Sequence, residues 1–432
     1  MKRITVISIG IFAVIGIIWG ARFYFKNLRG AWPAVLPPSP GLQPSSPSGR
    51  GGGEGELPLK LPDGFSIEIF AKDLPGARVM AMGSGGMYVS QTSEGKIAHI
   101  GFDVDGNATR PVLAFSSLQK PHGIVVDPAD KYHYYIAEEH RIFEFYDAPP
   151  GITGPEFNKI VDLPSGGGHF TRTLGFGPDG RLYVSIGSSC NVCNEKDKRR
   201  AKIFSMNPDG SDFKGVARGL RNAVFFTWNP VDGSMWATEM GRDLLGDDLP
   251  PDEINIIPPP SSRVQRLPPD TVFDYGWPIC YGKNVHDSNF DPAPEQARRG
   301  AGKNVCEDKE PSYIDLPAHS APLGLAFIPA ASGEPRPDGR EEGWPEDYWY
   351  DLLVAYHGSW NRSEPTGYKV ARVKLDAQGN YEGTEDFITG WLQPDGTALG
   401  RPVDILVQPG GMIYVSDDKA GVIYRVRRNV LE

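Results

Sequence analysis

A strand–turn–strand pattern of apolar residues recurs six times between residues 57 and 430. Each copy has a short apolar run, a turn that usually contains Pro with Gly or Asp, and a second apolar strand, in most copies with a Tyr or Trp. The clearest copy reads Phe176-Gly177-Pro178-Asp179-Gly180-Arg181-Leu182-Tyr183-Val184. The turn position falls at residues 84, 128, 178, 230, 329 and 409, so the steps are 44, 50, 52, 99 and 80 residues.

A further alternating strand follows each copy. These strands are predicted at residues 96–100, 141–145, 202–206, 252–257, 368–373 and 422–426. Gly-rich repeats of short strands, about 45 residues long, are typical of propeller blades. Six copies therefore predict an all-β, six-bladed β-propeller over residues 57–432. Sandwich domains joined by short loops are the structural alternative.

Two of the repeat steps are long, which indicates insertions at residues 258–322 and 330–348. Both segments are rich in Pro and in charged residues. Propellers bind ligands where long loops surround the central channel. We expect both insertions to lie on that face.

The N-terminus has the pattern of a membrane segment. Lys2 and Arg3 precede an uncharged run over residues 4–21, which as a helix would span roughly 27 Å. No convincing cleavage site follows, which favours an uncleaved signal anchor over a cleaved signal peptide. We expect residues 1–29 to form a transmembrane helix and residues 30–56, rich in Gly, Pro and Ser, a flexible linker. The propeller would then be membrane-anchored and extracytoplasmic, in the periplasm or at the cell surface.

Composition narrows the function. The formal net charge is −10, so a surface that neutralises phosphates is not expected and nucleic acid is not a predicted partner. The sequence contains no P-loop, no Gly-rich dinucleotide motif, no nucleophile elbow and no HExxH motif. A redox role would therefore need a cofactor other than a nucleotide bound by a Rossmann fold.

The four cysteines permit several interpretations. Cys190 and Cys193 are spaced as in a redox dithiol, a zinc half-site, a haem attachment site or a small disulfide. The haem motif needs a histidine where Asn194 stands, and a zinc site needs a second pair of similar spacing. Export favours disulfides. We predict the pairs 190–193 and 280–306, with the other two connectivities open.

His169 is the leading candidate for a catalytic base. It follows Gly166-Gly167-Gly168, where the backbone can approach a ligand, and it precedes the clearest blade motif. Histidine is a natural proton acceptor near neutral pH. A rim histidine without a catalytic role is the alternative, and His122 and His357 are the next candidates.

Three other loops carry candidate binding residues. Arg221 and Asn222 precede the fourth blade motif, and an arginine fork suits a carboxylate-bearing ligand. Arg401 has the equivalent place before the last blade. One Gly/Pro loop holds a cluster of carboxylates that suits calcium, with a solvated acidic loop as the alternative: Asp243, Asp247, Asp248, Asp252 and Glu253.

At these residues the chain resembles the glucose/sorbosone dehydrogenase family, and it is most similar to the L-sorbosone dehydrogenase-like branch. Members are quinoproteins that hold pyrroloquinoline quinone (PQQ) and calcium at the centre of a six-bladed propeller. The resemblance covers about residues 60–428. The segments that carry it are residues 169–174, 187–193, 219–222, 241–253, 274–278 and 357–362.

The resemblance implies a role for each matching residue. His169 has the place of the family's catalytic base, and Asp252 or Glu253 matches a carboxylate of a structural calcium. The backbone carbonyls of Gly241 and Arg242 match ligands of the calcium that the cofactor binds. The matches to cofactor contacts are Gln119, Arg221, Asn222 and Arg401, with Lys369 for a quinone-contacting lysine and His357 and Arg362 as its alternatives.

Three positions depart from the characterised glucose enzymes. Ser188 replaces an aspartate that orients the base, Val224 replaces a glutamine, and Val403 replaces a second arginine near Arg401. We expect these departures to bear on cofactor affinity, substrate and activity, and not on the fold.

The sequence and the resemblance together predict an oxidoreductase. It would oxidise an aldose, a sorbosone-like aldehyde or a related polyhydroxy alcohol by hydride transfer to PQQ. Electrons would pass to an external acceptor, either a cytochrome or the quinone pool. The alternatives are a calcium-dependent lactonase and a non-catalytic carbohydrate- or protein-binding propeller.

Overall fold

Six antiparallel sheets of at least four strands each form the blades of a propeller in the computed structural model. The structure describes residues 57–83, 85–147, 157–259, 271–291, 305–330, 343–408 and 411–429. The predicted membrane anchor and linker lie outside these residues. No helix within these ranges is long and apolar enough to cross a bilayer.

The chain enters the propeller through β1 (Phe65–Ala71), which becomes the outer strand of the last blade. The next three blades follow in order from the inner to the outer strand. Blade I has β2 (Ala77–Gly83), β3 (Gly86–Gln91), β4 (Lys96–Ile100) and β5 (Val112–Phe115). Blade II has β6 (Ile124–Asp127), β7 (Asp130–Ala137), β8 (Arg141–Tyr146) and β9 (Asn158–Asp162). Blade III has β10 (Leu174–Phe176), β11 (Leu182–Ile186), β12 (Lys202–Met206) and β13 (Lys214–Arg218).

Blade IV contains the first insertion. Its strands β14 (Phe226–Trp228), β15 (Met235–Glu239) and β16 (Asp252–Ile257) precede β17 (Phe273–Asp274), β18 (Cys280–Tyr281) and β19 (Val285–His286), and β20 (Ile314–Leu316) completes the sheet. β17 pairs in parallel with β13, so the insertion extends blade III at its outer edge.

The last two blades close the ring. Blade V has β21 (Pro322–Phe327), β22 (Leu352–Tyr356), β23 (Lys369–Leu375) and β24 (Tyr381–Ile388). Blade VI has β25 (Pro402–Val407), β26 (Ile413–Asp417) and β27 (Val422–Arg428), completed by β1. Pairing of β1 with β27 joins the two ends of the propeller domain in one sheet. Two short 3-10 turns, Thr92–Glu94 and Glu346–Tyr348, are the other regular elements of the described residues.

Aromatic packing between blades explains the Tyr or Trp of the repeat. Tyr88 packs against Tyr134 of the next blade with ring centroids 4.9 Å apart, and Trp236 packs against Phe327 of the next blade at 5.4 Å. Trp236 is 1% exposed. Burial of a large aromatic side chain stabilises a fold by roughly 1.5–3 kcal/mol, so the repeated residue stabilises the contact between blades.

The structure confirms the predicted propeller and its six repeats. Every predicted turn position lies between the first and second strands of a blade, and each third strand begins within one residue of its predicted start. Both predicted disulfides, Cys190–Cys193 and Cys280–Cys306, are also confirmed.

The expectation for the second insertion was wrong. It follows the Phe327 end of β21, whereas the residues that precede the other end of this strand line the cavity described below. Successive antiparallel strands reverse direction, so the described ends of this insertion, residue 330 and residues 343–348, lie at the face opposite that cavity.

Candidate active site

Most of the predicted site residues lie at one face of the propeller, in or directly beside two classes of loop. One class links the outer strand of a blade to the inner strand of the next, and the other links the second strand to the third. His169 precedes β10, Arg221 and Asn222 precede β14, and Gly241 follows β15. Because all these loops start or end at the same strand ends, the fold brings residues of separate repeats together.

A cavity of about 190 Å³ forms where loops of blades III, IV and V meet. Six residues that the sequence singled out line it: His169, Arg221, Asn222, Gly241, Asp243 and Asp252. Five further residues complete the wall: Met240, His319, Ala321, Trp360 and Asn361. Most of the lining residues are polar or charged, and one exposed aromatic side chain, Trp360, lies at the wall.

Ser188 holds the ring of His169. Nδ1 of His169 lies 2.9 Å from the Ser188 carbonyl oxygen and 2.8 Å from Ser188 Oγ. The Ser188 hydroxyl donates to the Cys190 carbonyl at 2.7 Å, so its oxygen is free to accept from an Nδ1–H group. This arrangement favours the tautomer in which Nε2 carries the lone pair. Thus the serine that replaces an aspartate still orients the imidazole.

His169 is uncharged at neutral pH. Burial, together with the nearby Arg221 guanidinium, lowers the pKa of His169 to about 3. No described residue bonds its Nε2. A neutral imidazole with one free nitrogen at a cavity can accept a proton from a ligand hydroxyl.

Protein oxygens accept hydrogen bonds from the Arg221 guanidinium around its edge and so fix the orientation of its plane. Nε donates to the Asn191 carbonyl at 2.8 Å, and one terminal nitrogen donates to the Met240 carbonyl at 3.2 Å. The other donates to Asn191 Oδ1 at 3.0 Å and to Asp243 Oδ2 at 2.9 Å. Four of the five N–H groups are thus engaged, so the expected carboxylate fork is not available. The planar face of the guanidinium can still stack on a flat ligand.

Asn222 and Gly187 pack closely beside His169. A Cβ atom at Gly187 would lie 2.6 Å from Asn222 Oδ1 and 2.7 Å from His169 Cβ. The chain therefore needs glycine at this position for Asn222 and His169 to approach each other.

The backbone carbonyls of Gly241 and Arg242 accept no hydrogen bond from the described residues, so both oxygens are free to ligate a cation. The Gly241 amide donates to Asp252 Oδ1 at 2.9 Å, which fixes the loop from below. The Arg242 side chain turns to the first insertion and pairs with Asp287 at 2.7 Å.

Asp252 and Glu253 lie on opposite faces of β16, as neighbours in a strand must. Asp252 lines the cavity and its second oxygen accepts from the Ala321 amide at 2.8 Å. Burial raises the pKa of Asp252 to about 7. Glu253 instead faces Asn255 and the Gly282 amide.

A second group of buried oxygens surrounds Glu253. Glu239 is its cross-strand partner, and burial together with the Glu253 charge raises the pKa of Glu239. Asn255 donates to Glu253 at 2.9 Å, while its buried Oδ1 has no hydrogen-bond partner. Two carboxylates with an unpartnered amide oxygen are hard ligands of the kind calcium prefers.

Three predicted cofactor contacts do not line the cavity: Gln119, Lys369 and Arg401. Gln119 is exposed, and its backbone N–H donates to the Glu138 carboxylate at 2.5 Å. The Lys369 ammonium bonds Asp386 of β24, the outer strand of its blade. The structure therefore does not bring Lys369 to the cavity.

Arg401 belongs to a charged cluster at the same face. Its guanidinium donates to the His357 carbonyl at 2.9 Å and to the Gly358 carbonyl. His357 Nε2 lies 2.9 Å from Asp418, whose other oxygen pairs with Arg78 at 2.7 Å. Burial alone would raise the pKa of Asp418, but His357 and the two guanidinium groups hold it below its usual range. This cluster supplies two cations close to the propeller axis.

Arg78 was not among the residues predicted from the sequence, although its position in the repeat singles it out. Arg78, His122 and Arg172 each stand six residues before a repeat turn position, on three consecutive blades. Val403 has the same place before the last turn. The second arginine that is absent at Val403 thus has a counterpart in Arg78, contributed by the adjacent blade. Arg78, His122 and Arg172 each have one buried side-chain nitrogen without a hydrogen-bond partner among the described residues.

Comparison with known proteins agrees with this architecture. A family model described as TrAA12-like matches residues 59–429. An uncharacterized protein of Borreliella burgdorferi is 30% identical over 392 residues, which cover 85% of this chain and 90% of that protein.

A curated fungal enzyme is a further relative. The pyrroloquinoline quinone-dependent pyranose dehydrogenase of Coprinopsis cinerea is 25% identical over 431 residues, covering 86% of this chain. The match covers 54% of that enzyme, so this chain spans about half its length. The holo structure of the enzyme's PQQ domain has the same fold, with a TM-score of 0.67, 21% identity, and coverage of 86% of this chain and 97% of that domain. From the family match over nearly the whole described propeller, the chain belongs to the TrAA12-like family.

Proposed function

We propose that this protein is a PQQ- and calcium-dependent dehydrogenase that oxidises a sugar hydroxyl or aldehyde. The observation that carries the proposal is the neutral imidazole of His169, fixed through Nδ1 with its other nitrogen free, beside the Arg221 face and the two free carbonyls of the Gly241 loop. The relationship to the Coprinopsis pyranose dehydrogenase supports it. Membership of the L-sorbosone dehydrogenase-like branch, and the identity of the sugar, belong to the same proposal.

The residues present fit a flat, polycarboxylate cofactor with its cation. Gly241 and Arg242 would ligate calcium through their carbonyls, Arg221 would stack on the ring system, and Asn222 and Arg401 would contact its polar edge. Asn361 contributes a buried Oδ1 without a partner at the cavity wall. When bound, PQQ supplies the hydride acceptor, and calcium supplies the positive charge that favours this transfer. Gln119 and Lys369 do not line the cavity, so their roles stay predictions from the resemblance and take no part in this arrangement.

The protein's own chemistry is proton transfer and orientation. His169 Nε2 takes the hydroxyl proton of the sugar, and the Ser188 carbonyl stabilises the imidazolium that forms by accepting from Nδ1–H. Besides burial, the positive charge of Arg221 lowers the pKa of His169. Carboxylates of a bound ligand would offset that charge and raise the pKa of His169 towards neutral pH, where a general base works best.

A structural calcium is proposed at the second group of buried oxygens. Glu239 and Glu253 face each other across β15 and β16, and the unpartnered oxygen of Asn255 lies beside them. A cation there would neutralise two buried carboxylates, neither of which forms an ion pair with a described residue.

We also propose that residues 1–29 anchor the protein in a membrane, with residues 30–56 as a linker and the propeller outside the cytoplasm. Both disulfides of the propeller support an oxidising compartment. An external acceptor, a cytochrome or the quinone pool, would take the electrons. The full chain should sediment with washed membranes, and a chain that starts at residue 30 should not. Equal recovery of both chains in the soluble fraction would contradict the anchor.

Titration of the purified protein with PQQ tests the proposed function. With calcium present, we expect a change in the absorbance of PQQ, a higher melting temperature and, after addition of aldoses, reduction of a dye acceptor. Chelation of calcium should abolish all three. Absence of PQQ binding, with hydrolysis of lactones in calcium alone, would instead identify the lactonase alternative.

A further inference from the structure

The segment Ser188–Cys193, between β11 and β12, contacts both leading site residues. We propose that this disulfide-closed segment is a redox-sensitive brace: its Asn191 positions Arg221, and reduction of Cys190–Cys193 weakens cofactor binding. The proposal rests on the proposed function, because its readout is the affinity for PQQ.

Asn191 is the centre of the brace. Its carbonyl and its Oδ1 both accept from Arg221, at 2.8 and 3.0 Å. Oδ1 also accepts from the Asp243 amide at 2.8 Å, and Nδ2 donates to the Asp243 carbonyl at 3.1 Å. One residue therefore fixes the guanidinium plane and the carboxylate that pairs with it. Asn191 acts through Arg221 and is a positioning residue.

The other end of the segment holds His169. Ser188 accepts from the imidazole and donates its hydroxyl to the Cys190 carbonyl at 2.7 Å. The Ser188 amide donates to the Arg221 carbonyl at 2.7 Å. The disulfide closes the chain directly after this contact, so Cys190 is tied both to Ser188 and, through sulfur, to Cys193. Closure limits the conformations open to the two residues between the cysteines, Asn191 among them.

Both cysteines of the brace are half-buried rather than fully buried, so a small reductant can reach them. A dithiol reduces the bond in two exchange steps. One thiolate of the dithiol attacks a protein sulfur to give a mixed disulfide, and the second thiolate of the same dithiol then releases the protein thiol from that mixed disulfide. Two electrons and two protons pass to Cys190 and Cys193, and the dithiol is released as its own disulfide. The thiols then separate, and the segment around Asn191 gains conformational freedom.

The test compares PQQ affinity, with calcium present, in oxidised and reduced protein. Dithiothreitol should weaken binding at least tenfold, with thiol formation at Cys190 and Cys193 checked by mass spectrometry. The double variant Cys190→Ser/Cys193→Ser should bind as weakly as reduced protein and be insensitive to dithiothreitol. Cys280→Ser/Cys306→Ser should keep the full response to the reductant, which separates this disulfide from a general effect of thiols.

Asn191 is tested by a matched series. Asn191→Ala should weaken PQQ binding about tenfold or more, whereas Asn191→Asp, which keeps the acceptor for Arg221, should restore most of the affinity. Asn194→Ala, at an exposed neighbour, should bind as the unmodified protein does. Hydrogen exchange without any cofactor should show faster exchange of the Arg221 and Asn222 amides in Asn191→Ala and in reduced protein.

The outcomes are distinguishable. If the oxidised, unmodified protein does not bind PQQ, the proposed function fails. If it binds PQQ with the same affinity before and after confirmed reduction, or if Asn191→Asp loses as much affinity as Asn191→Ala, the brace is overturned while the proposed function stands.

Discussion

Replacement of His169 by asparagine is expected to lower turnover by about 10²–10⁴ while PQQ affinity changes little. Oxidation of a sugar hydroxyl leaves a proton to be removed, and the free Nε2 of His169 is the group placed to take it. Asparagine fills similar space but cannot accept a proton. The measurement is steady-state dye reduction with saturating PQQ, calcium and sugar, accompanied by PQQ titration of the same preparation.

Ser188→Ala provides the matched control for this prediction. It removes one of two contacts to Nδ1 but leaves the Ser188 carbonyl at 2.9 Å, so the ring should keep its tautomer and turnover should fall less than tenfold. Unchanged turnover in His169→Asn would exclude the residue as the base. His357, bonded to Asp418 in the adjacent charged cluster, would be the next candidate.

Local periodicity explains why the sequence predicted the blades so closely. The strand–turn–strand pattern depends on residues that are close together in the sequence. The strands β4, β12 and β16 accordingly have the same bounds in the structure as in the prediction. Burial of alternate side chains fixes strand phase, and Pro, Gly and Asp fix the turns. The equivalent places of His169 and Arg221 in successive repeats likewise place both at the same face.

Contacts between distant loops could not be predicted in the same way. Asp243 pairs with Arg221 at 2.9 Å and accepts from Asn361 at 2.7 Å, across three loops. Nothing in the spacing of these residues indicates the pairing, because it depends on the rotation of one blade relative to the next. Lys369 illustrates the same limit. Its strand was predicted, but its ammonium bonds the carboxylate of Asp386 on the outer strand of the blade and does not reach the cavity.

Two buried carboxylate systems also depended on the fold. Asp252 and Glu253 were counted with the acids of the preceding loop, although both belong to the strand predicted at residues 252–257, and a strand places neighbouring side chains on opposite faces. Glu239 enters only through strand pairing with Glu253. A pattern of acids along the chain therefore indicated cation binding without specifying which acids share a site.

Replacement of Arg221 by leucine is expected to weaken PQQ binding on the order of 10²-fold. The change removes the stacking face and leaves Asp243, now paired at 2.9 Å, without its cation in a largely buried site. The expected loss of about 10²-fold in the dissociation constant corresponds to about 2.7 kcal/mol, the order of magnitude for removing a stacking face and a positive charge together. Affinity is measured by PQQ titration with calcium present, after the melting temperature has established that the variant is folded.

Two companion variants decide what Arg221 contributes. Arg221→Lys keeps the positive charge but cannot make the in-plane contacts to Asn191, Met240 and Asp243, so it should lose most of the affinity that the leucine variant loses. Arg218→Leu removes an exposed arginine of β13 that pairs with Asp274, and should bind PQQ as the unmodified protein does. If Arg221→Lys retains full affinity, charge alone suffices and the planar role of the guanidinium is wrong. If Arg221→Leu also retains it, the cofactor site lies elsewhere on this face, and the cluster of Arg78, Asp418 and Arg401 becomes the site to examine.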